Sequence, residues 1–386
     1  MYFLRCKKRK KSGWQSVHTA FWLAFLLCVG TLWSGEFAEA APDVQETAWQ
    51  EEATQGVEKD PCLKMHILDV GQGLSLLFES DGRYLLYDGG DRDYSSKVVS
   101  YLKEQGVRTL DMVVASHYDA DHLNGVVGAL NVFAVQQVMA PDYETDTRVY
   151  QSFVNILQEK EIPVTRPTVG ETYALGSAAV TVLSPAGGDY ADVNDYSVSL
   201  RITYGDISIL VTGDATTLAE EEMISSGENL DSDILVAGHH GSESSSSEAF
   251  LQSVSPCVAV ISCAANSRYH HPSRAVMERL KEAGIPVLRT DRQGDMVVST
   301  DGAQIFYSTD PCTDYSDGES GAQQGEAAAE GGGEKRTYVL NLNSEKFHDP
   351  SCSSAAKIAE HNYEEIYESR EALIAMGYSP CGNCRP

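Results

Sequence analysis

Basic residues are scarce in this chain. Its 386 residues carry 29 lysines and arginines against 56 aspartates and glutamates, a formal charge of −27. That deficit excludes broad electrostatic attraction to nucleic acid or to an anionic membrane face, because both partners reward lysine and arginine. Clustered carboxylates can still recruit divalent cations. Long apolar runs are equally rare. The one of note, AFWLAFLLCVGTLW at 20–33, is shorter than the ~20 apolar residues that a membrane-spanning helix needs. There is no internal repeat.

That run follows RCKKRKK at 5–11 and precedes AEAA at 38–41, an A-x-A arrangement of small residues. The three together predict a secretion signal over residues 1–40, hence a secreted or cell-surface protein, with a retained N-terminal anchor as the alternative. Cys28 follows Leu27, where a lipoprotein cleavage site would want a small residue, so it is not read as a lipid attachment point. In an oxidising compartment Cys62, Cys257, Cys263 and Cys312 allow two bridges in three connectivities, or stay as buried thiols. A Cys62–Cys312 bridge is favoured, because DPC at 60–62 and DPC at 310–312 bracket the main body and domain ends commonly lie close together.

Residues 41–62 are polar and acidic, a tether without apolar periodicity. Residues 63–310 alternate strand and helix signals, which predicts one mixed α/β domain. Helices are expected near 95–105, 122–130, 147–160, 216–226, 246–253 and 273–283. Residues 311–336 read as a flexible linker dominated by glycine, alanine, serine and acid, and 337–386 form a small terminal module.

The chemistry concentrates at strand ends. SHYDADHLNG at 116–125 follows the strand signal DMVVA and crowds His117, Asp119, Asp121 and His122 into six positions, with a helix expected from about Leu123. Like charges at that density require a partner, and two divalent cations relieve the repulsion while using this mix of imidazole and carboxylate. Capping and turn roles are the bland alternative, but four candidates exceed what one helix start uses. ILVTGD ends a second strand at Asp214, and ILVAGHHGS a third at His239 and His240. Each pairs an apolar strand with a glycine and a metal-competent side chain. In the terminal module His348 precedes Cys352 by four residues, and Cys381 and Cys384 form a C-x2-C. Three cysteines and one histidine suit a structural zinc, which a module with few apolar residues needs; a disulfide plus one thiol is the alternative.

HILDVGQGLS (66–75), LLYDGG (85–90), SHYDADHLNG, the segment 194–214, HHGS (239–242) and RYHHP (268–272) resemble, in order, the motifs of the metallo-β-lactamase superfamily. The branch they resemble is the hydrolase domain of the ComEC competence proteins. The resemblance implies an αββα sandwich with its site at one edge of two sheets. It places His117 and Asp119 on a first metal, Asp121, His122 and His239 on a second, and Asp214 between them. Asp88, Asn194 and Ser197 would stand behind these ligands, while Asp121, His240 and His271 would serve catalysis. Departures from the pattern include the missing middle histidine and Leu74 where an acidic residue is usual. Oxygen-rich ligation shifts preference from zinc towards manganese.

A water held between two such cations would be the attacking hydroxide. The implied activity is an exported nuclease acting on DNA; alternatives are hydrolysis of another ester (phosphocholine, nucleotide, lactone or β-lactam) or a binding protein without turnover. The terminal module is similar to Ada-like zinc domains. Its six basic against eight acidic side chains over 334–386 give no basic face of its own.

Overall fold

The computed structural model describes residues 2–3, 63–265, 267–318, 335–341, 346–358, 362–375 and 378–386. The expected signal beyond Phe3, the tether and the centre of the linker lie outside the described residues. Among the described residues no helix is long and apolar enough to cross a membrane.

Two sheets form the body. A nine-stranded sheet runs in the order 2–3, 305–307, 296–300, 63–67, 76–80, 83–87, 112–114, 138–139 and 164–165. A seven-stranded sheet runs 172–175, 178–184, 199–204, 207–211, 234–236, 258–261 and 287–289. Period-two alternation decides which side chains meet between them. Leu63, Met65 and Ile67 from one sheet pack against Ile202, Ile209 and Val236 from the other. The intervening positions face outwards. Leu77, Leu86 and Val113 take up helices Ser95–Glu104, Ala120–Val132 and Arg148–Glu159. Leu210, Leu235 and Ala259 take up Thr217–Ser225, Glu248–Val254 and Arg274–Ala283. The result is the expected helix–sheet–sheet–helix sandwich, in which each fully buried Leu, Ile or Val contributes about 1.5–3 kcal/mol relative to exposure.

Local signals set the element ends. Thr147, Thr216, Ser247 and Ser273 each accept a backbone N–H in the first turn of the helix that follows, the usual role of hydroxyl N-caps. Asp81 and Gly82, both at positive φ, close the hairpin between 76–80 and 83–87, as a DG turn should.

Three expectations are revised. The helix after His117 begins at Ala120, so Asp121 and His122 lie in its first turn, beyond an N-cap at Asp119. Residues 311–318, expected as linker, lie against the domain. Cys312 exchanges two backbone hydrogen bonds of 2.8 Å with Val287, and Gly318 donates to the Pro272 carbonyl at 2.8 Å. The outer face of strand Val287–Arg289 has backbone groups to satisfy, and this segment satisfies them. The favoured bridge does not form: Cys312 is a free thiol, and Cys257 is disulfide-bonded instead. Cys312 sits at the outer edge of the seven-stranded sheet, beside Val287, while the strand that begins at Leu63 belongs to the nine-stranded sheet; residues 60–62 lie outside the described residues.

The terminal module has its own four-stranded sheet, ordered 363–368, 336–341, 346–348 and 379–380. Its apolar cluster of Tyr338, Leu340, Phe347 and Leu373 is small.

Parallel pairing controls the functional edge. Strands 83–87, 112–114 and 138–139 run parallel in one sheet, as do 207–211, 234–236, 258–261 and 287–289 in the other. Carboxyl ends of such strands are where α/β proteins gather ligands. The helix that follows His117 is locked to this edge by a backbone crossing. Gly89 donates to the His122 carbonyl at 2.8 Å and Gly125 to the Gly90 carbonyl at 3.1 Å. A Cβ on Gly125 would fall 1.8 Å from the Gly89 oxygen. Gly125→Ala is therefore expected to cost about 1–3 kcal/mol of stability or more, read as a lower urea midpoint.

Candidate metal centre

Asp88 follows strand Arg83–Tyr87 and is fully buried. Its carboxylate accepts from the Ser116 N–H at 2.8 Å and from Ser116 Oγ at 2.7 Å. It also accepts from His122 Nδ1 at 2.7 Å. Because Ser116 spends its proton on Asp88, His117 Nδ1 is the donor in the 3.0 Å contact with Ser116 Oγ. His240 Nδ1 likewise donates to the Ser262 carbonyl at 3.0 Å. In all three rings the proton is thus held on Nδ1 by a neighbour, and the Nε2 lone pair is left to face the centre, the arrangement metal-bound imidazoles use.

These Nε2 atoms converge on carboxylates. His122 Nε2 lies 3.2 Å from Asp214 Oδ1 and 3.2 Å from His240 Nε2. His240 Nε2 lies 3.4 Å from Asp214 Oδ2 and 3.6 Å from Asp121 Oδ2. Two ligand sets result: His117, His122 and Asp214, and Asp121, His122 and His240, each with its ligand atoms within 4.8 Å of one another. Buried polar atoms normally find a partner. Yet His117 Nε2 is buried without a hydrogen bond, which fits an atom reserved for a cation.

Electrostatics point the same way. Burial and the neighbouring His122 pull His117 down to about 4. Burial alone would lower His122 and His240 too, but for His122 the charges of Asp214 and Asp88 outweigh it and hold the ring well above its usual range. For His240, Asp214 and Asp121 outweigh burial and lift the ring to about 9. Burial would raise Asp214, and the same two imidazoles hold it well below the carboxylate range. The field that stabilises imidazolium here is the field a divalent cation would meet.

The remaining sequence candidates are placed as follows. Asp119 stands at the rim of the first ligand set, its side chain 53% exposed and one carboxylate oxygen 3.8 Å from His117 Nε2. His239 and His240, both at positive φ, diverge: His239 turns to the rim, with Nδ1 3.3 Å from Ser244 Oγ and Nε2 3.7 Å from Asp214. Ser197 Oγ accepts from the Asp214 N–H at 3.1 Å, and the Asn194 side-chain oxygen is buried without a partner. His271 lies beside this pair, its ring stacked on His240 at a centroid distance of 6.4 Å. Sequence reasoning missed Ser116, Ser262 and Gln72. Gln72 Nε2 lies 3.3 Å from His271 Nδ1, and Gln72 Oε1 accepts from Ser267 Oγ at 2.8 Å. A polar residue directly after an apolar strand is the signal that could have found the two serines.

In the terminal module His348, Cys352, Cys381 and Cys384 bring their ligand atoms within 4.8 Å of one another. Both His348 ring nitrogens are buried without hydrogen bonds. This donor set suits tetrahedral zinc.

The family model described as "Metallo-beta-lactamase superfamily" matches residues 68–265. "ComE operon protein 3" of Bacillus subtilis is 29% identical over 279 residues, covering 67% of this chain and 36% of that protein. "Competence protein ComA" of Neisseria gonorrhoeae is 34% identical over 230 residues, covering 59% of this chain and 31% of that protein. "Recombination protein 2" of Haemophilus influenzae is 30% identical over 244 residues, 62% of this chain and 29% of its own length. The chain therefore spans about a third of the length of the curated relatives it matches.

Two measurements check this geometry. Asp88→Asn is expected to weaken divalent cation binding by about 10- to 100-fold, measured by competition with a chelating dye. Cys384→Ser should remove one equivalent of zinc from the full-length protein by elemental analysis while the cations of the sandwich remain.

Proposed function

The chain belongs to the metallo-β-lactamase superfamily, and from that premise we propose that it is an exported, metal-dependent phosphodiesterase that cleaves DNA. The observation that carries this reading is the convergence of three Nε2 lone pairs and two carboxylates at the carboxyl ends of parallel strands. The names of the relatives, which speak of competence and recombination, support a role in handling incoming DNA. The secretion signal expected over residues 1–40 and the disulfide at Cys257 support a site of action outside the cytoplasm.

His117 and Asp214 would hold one cation and Asp121, His122 and His240 the other, with Asp214 close to both groups. This gives His240 the ligand role that the motif alone gave to His239. Divalent cations bound there supply charge neutralisation for the phosphoryl group and a water nucleophilic at neutral pH. The oxygen-rich donors favour manganese over zinc.

The chain's own residues do the positioning. Asp88 and Ser116 fix the rings of His122 and His117, and Ser262 fixes His240. Asp121, whose side chain is 30% exposed, has access to solvent and orients the attacking water. His271 and the outward-turned His239 flank the mouth, where they meet the phosphate oxygens and the departing hydroxyl.

Purified protein incubated with linear and circular DNA plus manganese or zinc is expected to cleave both phosphodiester backbones. Asp121→Ala should abolish turnover while the circular dichroism spectrum is retained. Absence of cleavage by protein with its cations demonstrably bound would sink the nuclease reading.

A further inference from the structure

The mouth of the site carries a stack of rings whose outermost member the hydrolytic chemistry does not use. His240 stacks on His271 at 6.4 Å between centroids, with planes 26° apart. His271 in turn stacks on Tyr269 at 5.9 Å and 28°. The ladder therefore runs from a ligand of the metal centre to a tyrosine that is 51% exposed. Arg268 lies over the same tyrosine, its guanidinium carbon 4.8 Å from the ring centroid. One of its nitrogens donates to the tyrosine hydroxyl at 2.7 Å.

Two features set Tyr269 apart from the other tyrosines beside the centre. Tyr118, Tyr143, Tyr150 and Tyr196 form an aromatic cluster engaged in the fold: Tyr143 OH accepts from the Tyr118 N–H, and Tyr196 OH from the Tyr190 N–H. The Tyr269 ring instead lies at the surface, its hydroxyl paired with the adjacent Arg268. The segment that carries it is nonetheless held in place. Gln72 binds both Ser267 and His271, Ser267 Oγ accepts from the Tyr269 N–H at 3.2 Å, and Gly318 donates to the Pro272 carbonyl.

We propose that Tyr269, with Arg268 above it, is a stacking platform for an unpaired nucleobase of the substrate strand, adjoining the phosphate that is cleaved. This rests on the phosphodiesterase reading and supplies the affinity that reading lacks. A chain with a net charge of −27 gains little from general attraction to phosphates. Base–aromatic stacking is independent of net charge and tolerant of sequence, because every base has a π-face. The Arg268 guanidinium adds a stacking plane of its own and a positive charge for the neighbouring phosphate. The occupant is thus a single strand or a frayed end, whose bases are free to stack, and not an intact duplex.

The test uses the metal-loaded full-length protein and short single-stranded oligonucleotides carrying the fluorescent base 2-aminopurine at successive positions, with matched strands that are abasic at the same positions. Wild type is expected to quench 2-aminopurine at one position next to the cleaved bond, and its KM is expected to rise roughly 5- to 100-fold when that position is abasic. Tyr269→Ala should lose the quenching and raise KM for the base-containing strand to that of the abasic one, and Tyr269→Trp should restore both. If Tyr269→Ala quenches and cleaves as wild type does, the platform is refuted and the nuclease reading stands. If wild type cleaves no strand yet shows quenching that depends on Tyr269, the platform stands and the nuclease reading falls. Neither quenching nor cleavage by wild type overturns both.

Discussion

A single buried carboxylate organises the centre. Asp88 receives three hydrogen bonds, two from Ser116 at the end of one strand and one from His122 in the first turn of the following helix. It sits at φ 56, a backbone conformation that costs a non-glycine residue of order 1 kcal/mol or more. Those bonds hold it there, and the conformation in turn aims the carboxylate under both histidines. Without it the His122 ring could rotate and Ser116 would no longer fix the tautomer of His117. The backbone crossing at Gly89 and Gly125 acts one level below, because it brings the helix close enough for His122 to reach Asp88.

The centre is also a small balance of charge within a strongly acidic protein. Asp88, Asp121 and Asp214 surround the imidazoles of His117, His122 and His240, so each carboxylate adds to the attraction for a cation. The cost of burying so many ionisable groups is tolerable only when opposite charges sit together. The two sheets supply that proximity by ending their parallel strands at the same edge.

Acidity has a different consequence for the substrate. A polyanionic ligand gains little from the overall field of a chain whose net charge is −27. Recognition must then come from short-range contacts, and exposed aromatic surface next to the centre offers one that salt and net charge affect little. The terminal module brings one histidine and three cysteines together beside a small apolar cluster, a setting in which a bound metal would add stability.

Much of this was legible in the sequence because it is local. Strand and helix periods, hydroxyl caps, the DG turn and metal-competent residues directly after apolar runs are all short-range patterns, and they determined the mixed α/β domain, while the sandwich was implied by the resemblance of the ordered motifs. What the tertiary structure alone decided are pairings across the chain. Of two adjacent histidines, His240 turns inwards because its Nδ1 finds the carbonyl of Ser262, twenty-two positions away on the next strand; nothing in the dipeptide itself distinguishes them. The same holds for Cys312, committed to the edge of a sheet that the strand beginning at Leu63 does not belong to. Periodicity fixes which face a side chain takes on its own element, but which element lies opposite is settled only when distant segments pack.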